Sequence, residues 1–118
     1  MSDESLHAGR LIASDRVEGT SAYSRDGEKL GQVERFMIDK ASGQVEYVIL
    51  SFGGILGLSG HYYPLPWQAL TYDISRRGYI LNVTRAEVED GPRYQSDPPQ
   101  FDEEYGRMLY GHYGFTYM

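Results

Sequence analysis

No cysteine occurs anywhere in the 118-residue chain. Disulfides and thiolate metal sites are therefore excluded, and nothing points to an oxidising compartment. Long apolar runs are missing as well: none approaches the roughly 18 residues that a membrane helix needs. The opening MSDESLHAGR carries acids and no apolar segment of the signal-peptide kind. The expectation is a cytoplasmic protein without a membrane span. Lysine is scarce, with only Lys29 and Lys40, and 17 acids against 11 bases give a net charge of −6. Such a balance repels phosphate backbones and acidic membranes unless the bases cluster. The closest arginines, Arg76 and Arg77, read as a solvated hairpin tip, so nucleic acid is not an expected partner.

What is present fits one packed domain. Hydrophobic residues make up 41% and charged residues 24%, values ordinary for a globular protein. Fourteen glycines and eleven tyrosines suit short strands joined by tight turns. Residues 1–9 are polar and aperiodic and are expected to form a flexible arm. From Leu11 to Val83 the chain alternates strand-like runs with turn signals at Arg25-Asp-Gly-Glu28, Ala41-Ser-Gly-Gln44 and Ser75-Arg-Arg-Gly78. Each turn has a glycine to take positive φ, and the three returns predict an antiparallel meander.

Lys29–Asp39 begins its apolar face at Val33 and resumes it at Phe36 and Ile38 with the opposite parity, which one extra residue near Glu34-Arg35 would reconcile. In Val45–Phe52 both parities are apolar, so something must cover each face. The candidates are a barrel wall, the C-terminal tail and another subunit. Strands are further expected over Tyr62–Trp67, Leu70–Ile74 and Tyr79–Val83, the first at an edge or at a strained part of a barrel because Pro64 and Pro66 cannot donate to a ladder. Thr84 and Glu87 match a capping box that Gly91-Pro92 soon terminates. A second helix is expected to start at Ser96 or Asp97, before Pro98, and to present Phe101, Tyr105, Met108, Leu109 and His112 as one apolar stripe. The aromatic end, Tyr113 to Met118, is expected to dock on the barrel or on a neighbour.

The glycine-rich segment Gly53-Gly-Ile-Leu-Gly-Leu-Ser-Gly60 holds no lysine and precedes no helical pattern, so a phosphate cradle is not indicated. It reads as a wide turn whose apolar tip, Ile55, Leu56 and Leu58, either plugs the barrel or meets another subunit. His7, His61 and His112 lack metal-ligand spacing, and Asp102-Glu103-Glu104 suit a helix start better than a calcium loop. Ser24, Ser51 and Ser59 sit in no nucleophile motif. Tyr62, Tyr63 and Trp67 could stack bases geometrically, but the charge opposes it. No catalytic residue, cofactor or metal is expected.

Three segments in order, Gly31-Gln-Val-Glu-Arg-Phe-Met-Ile-Asp39, Gly43-Gln-Val-Glu-Tyr-Val-Ile-Leu-Ser51 and Gly53–Gly60 leading to Pro64-Leu-Pro-Trp67, resemble the PRC-barrel domain. That family is named for the photosynthetic reaction centre H subunit and is shared with the ribosome maturation factor RimM. The resemblance spans about residues 10–85 and leaves 86–118 as a linker and helical tail. It implies a mainly β protein, a small, strongly bent antiparallel β-barrel of about six strands, followed here by a short helical, Tyr-rich tail. It also implies a non-enzymatic assembly and protein-binding module. Neither the membrane helix of the H subunit nor the preceding domain of RimM is expected, and the chain looks most like stand-alone bacterial members. The expected activity is self-association, as a homodimer, and binding of a further protein whose identity the sequence does not give. The expected interface residues are Ile55, Leu56, Leu58, Tyr105, Leu109 and Tyr113. The alternative, by analogy with RimM, is a module that binds RNA or a ribosomal protein.

Overall fold

The computed structural model describes residues 11–53 and 58–117. Six strands form one sheet: β1 (Ser21–Tyr23), β2 (Lys29–Ile38), β3 (Val45–Phe52), β4 (Tyr62–Pro66), β5 (Leu70–Asp73) and β6 (Gly78–Leu81). Their spatial order is β4-β3-β2-β1-β6-β5. Consecutive strands β4 and β5 therefore lie at opposite edges, joined only by the 3-10 turn Trp67–Ala69. In a flat sheet the outer strands would sit about 24 Å apart. The chain from Pro66 to Leu70 reaches only about 14 Å at full stretch. The sheet must curl, and it does so into a half-barrel.

Four of the five seams are antiparallel, whereas β1 and β6 run parallel, with Ala22 beside Tyr79. A pure meander is corrected on this point: β6 returns alongside β1 because the crossover at Trp67 has already carried the chain to the far edge. The extra residue expected in β2 is present, since Val33 pairs with Leu50 and Arg35 with Ile49. A second irregularity lies between Met37 and Ile38.

Register sorts the side chains into two layers. Ala22, Val33, Val48, Leu50, Phe52, Tyr63, Leu65, Tyr79 and Leu81 face the concave side and are all buried. Tyr47 and Ile49, on the opposite parity of β3, are also buried, at 2% and 0% exposure. Two helices complete the chain: α1 (Arg85–Glu89) and α2 (Glu103–His112). The capping box of α1 forms as read, with Thr84 Oγ1 accepting from Glu87 N–H at 3.1 Å and Glu87 Oε1 accepting from Thr84 N–H at 3.0 Å.

The start of α2 is later than Ser96 or Asp97: the N-cap is Asp102, whose carboxylate accepts from Tyr105 N–H at 2.9 Å. Its capping bond fixes the helix start. The stripe shifts with it. Gly106, Leu109 and Tyr110 are buried, while Met108 and His112 face solvent.

Glycine serves two different purposes in the turns. Gly27 and Gly43 take positive φ, at 90° and 76°, as expected. In the third turn Arg77 adopts the left-handed conformation instead, at 51°, and Gly78 is required for space: a Cβ there would lie 2.7 Å from both Ser21 O and the Tyr23 ring. Crowding is greatest at Gly31, where a methyl group would overlap the carbonyl oxygen of Ser51 on the paired strand. Gly31→Ala is predicted to cost about 3 kcal/mol or more, through displaced backbone at the β2–β3 seam. Gly53→Ala, with no atom of the described residues within 4 Å of its Cβ position, should change stability by less than about 0.5 kcal/mol. Urea unfolding of the two variants beside the parent measures the difference.

Candidate interaction surface

The outer face of β3 is covered by the tail of the same chain. Tyr47 packs against the rings of Phe101, Tyr105 and Tyr110 at centroid distances of 5.6, 6.3 and 6.1 Å. Two hydroxyls pin the tail to the strand: Tyr110 donates to Glu46 O at 2.6 Å, and Tyr117 to the Glu46 carboxylate at 3.3 Å. After α2 the chain turns at Gly114, with φ 78°, and Phe115 N–H bonds back to Tyr110 O. The tail thus docks on its own sheet.

Docking places most of the residues singled out in the sequence. Leu58, Leu109 and Tyr113 are buried at 2%, 0% and 5%, and Tyr105 is half-buried. These side chains are used within the chain's own core, so a second subunit reaches them only by displacing what covers them. Ile55 and Leu56 lie outside the described residues. The base-stacking trio does not form a platform: Tyr63 is fully buried, Tyr62 packs on Tyr94, and only Trp67 faces solvent.

The apolar surface that remains exposed is elsewhere. At the β5 side of the concave face, Phe36, Trp67, Tyr72 and Tyr79 form a ring cluster with edge-to-face contacts of 5.1 to 6.1 Å. Trp67 and Tyr72 keep 37% and 39% of their surface in water, and Ile74, at the end of β5, keeps 81%. The cluster arises because Leu70 and Tyr72 share the concave parity of β5, while Trp67 sits in the turn that feeds it and Ile74 follows just past the strand's end. That alternation was visible in the sequence. Its exposure was not, because exposure depends on β5 being an edge.

Charged groups are spent locally. Arg25 donates to Asn82 O at 2.7 Å, Arg85 pairs with Glu89, Arg107 with Glu103, and Arg76 with Asp73. His112 Nε2 lies 2.7 Å from Glu87 O. Backbone and side-chain bonds from Thr84 hold the Glu87 carboxyl below its ordinary range. Among the described residues no three His, Asp or Glu side chains gather as a metal would require. A cleft of about 490 Å³ opens between the β1–β2 turn and α1, with Arg25, Asp26 and Glu28 at its rim and Leu30, Phe52 and Val88 below. No described helix is long and apolar enough to cross a membrane.

The family model of the PRC-barrel domain matches residues 10–88. No curated protein matches the chain.

The covered tyrosines give the docked tail a pH limit. Burial raises the phenols of Tyr47 and Tyr113, and pushes Tyr105 up to about 12. Because the neutral phenol is the form the fold favours, its contribution is whole below the ordinary tyrosine value near 10. It is lost as pH rises from about 10 to 12. Alkaline titration followed by phenolate absorbance and circular dichroism is predicted to show late-titrating tyrosines whose ionisation coincides with loss of structure. Tyr105→Phe should move that loss to higher pH.

Proposed function

The chain belongs to the PRC-barrel family, whose members are non-catalytic interaction and assembly modules, and from that premise we propose that it is a self-associating adaptor. In this reading residues 10–85 are the barrel, 86–118 are a tail that completes its outer wall, and the working form is a cytoplasmic homodimer that presents a surface to a further protein. The single observation that carries the reading is the exposed apolar surface of Trp67 and Tyr72, whose rings both pack on Tyr79, with Ile74 exposed just past the end of β5. Large apolar side chains gathered on one surface are characteristic of places where another protein binds. Their neighbours Arg76 and Arg77 are too few to hold a phosphate backbone against the net charge of −6.

Light scattering at micromolar concentration is predicted to give twice the 13.4 kDa chain mass; a mass near that of one chain would overturn self-association. Removing residues 96–118 would bare Tyr47, now covered by Phe101, Tyr105 and Tyr110. The truncated protein should lose solubility or shift to larger oligomers. An unchanged mass and an unchanged melting temperature would show that the tail is dispensable.

A further inference from the structure

The two edges of the half-barrel differ in their free hydrogen-bonding groups. On β4 the outward positions are Tyr62, Pro64 and Pro66. Tyr62 exchanges both backbone bonds with Tyr94, at 2.8 and 3.0 Å, and the prolines have no N–H to offer. That edge is closed to strand pairing. On β5 the alternation can be read from Ala69 O, which accepts from Asn82 N–H at 2.7 Å. With the uninterrupted register from Leu70↔Leu81 to Asp73↔Gly78, Thr71 and Asp73 bond toward β6, while Leu70 and Tyr72 point away.

The outward Leu70 N–H already bonds to Trp67 O, and Ile74 O turns into the hairpin, where it accepts from Arg77 N–H. What stays open among the described residues is Leu70 C=O, Tyr72 N–H, Tyr72 C=O and Ile74 N–H.

We propose that this edge is a dimer seam, on which β5 of a second copy pairs antiparallel about a two-fold axis through Tyr72. The reason for a second copy is self-complementarity. In that register Tyr72 N–H meets the partner's Tyr72 C=O and the reverse, while Ile74 N–H meets the partner's Leu70 C=O and the reverse. Every open donor finds an open acceptor. None is left over, and the groups already engaged are the ones the seam does not use.

The side chains fit the same register. Ile74 lies across from the partner's Leu70, Asp73 lies across from the partner's Thr71, and no two like charges face each other. Thr71, Tyr72 and Ile74 are all exposed, so the strand is accessible. The two sheets join into one, and the exposed ring clusters meet across the axis. The seam rests on the self-association proposed above and specifies its geometry.

Opposite charges at Tyr72 test it. Tyr72→Lys and Tyr72→Asp each place like charges across the axis and should weaken the dimer by roughly tenfold or more; an equimolar mixture of the two should restore it. Far-ultraviolet circular dichroism and thermal melts of each variant confirm folding. A second variant is independent of charge. In this cysteine-free chain, Tyr72→Cys should form a covalent dimer on mild oxidation, because facing residues in such a pair have Cα atoms about 5.5 Å apart.

If the parent is dimeric and both charged variants remain so, the seam is overturned while self-association stands. A parent that is monomeric overturns both. A monomeric parent that dimerises once residues 1–10 are removed would show that the chain's own N-terminal segment fills the edge, and would overturn the second copy as its natural occupant.

Discussion

A single strand that is apolar on both faces sets the conditions for the whole molecule. Val48, Leu50 and Phe52 point to one side of β3, Tyr47 and Ile49 to the other, and all five are almost fully withdrawn from water. Each side chain of this size is worth about 1.5–3 kcal/mol when buried, so leaving either side open would forfeit much of a small domain's stability. Curling the sheet gathers the first side into one core with Val33, Tyr63, Leu65, Tyr79 and Leu81. It cannot cover the second, because a sheet has no third layer of its own. The aromatic tail exists structurally to supply that layer, which is why α2, without a long helix's intrinsic stability, is held by Leu109, Tyr110 and two tyrosine hydroxyls.

Much of this was legible in order along the chain. The runs of β2 to β6, the β2 bulge, the two-sided character of β3, the inability of the β4 prolines to donate to a ladder and the Thr84–Glu87 cap each rest on local chemistry that a sequence displays, while the count of about six strands came with the family resemblance. The features that were not legible depend on distance. The parallel seam between β1 and β6 follows from where the Trp67 crossover delivers the chain. The start of α2 is settled by Asp102 finding Tyr105 N–H, a contest among several acceptable caps that composition alone does not decide. Gly78 looked like a turn residue and proved to be a packing residue, with Arg77 bearing the unusual dihedral.

The candidate surface was harder to read for the same reason. The aromatic tail and the apolar residues around the glycine-rich loop stand out by their hydrophobicity, yet hydrophobicity is also what a core consumes, and Leu58, Leu109 and Tyr113 are consumed by it. Among the side chains left over, Tyr72 belongs to a strand with a neighbour on one side only, and Trp67 and Ile74 flank that strand. Trp67, Tyr72 and Ile74 are no more apolar than the buried set, and their availability comes from topology.

The prolines of β4 also limit how many molecules can join. A sheet open at both edges can add copies without end, each new chain presenting a fresh edge to the next. Here Pro64, Pro66 and the Tyr62–Tyr94 bridge withdraw one of the two edges. With the proposed seam at the other edge, growth by strand addition would stop at the first partner, a barrier to fibre formation in this tyrosine-rich, β-structured chain.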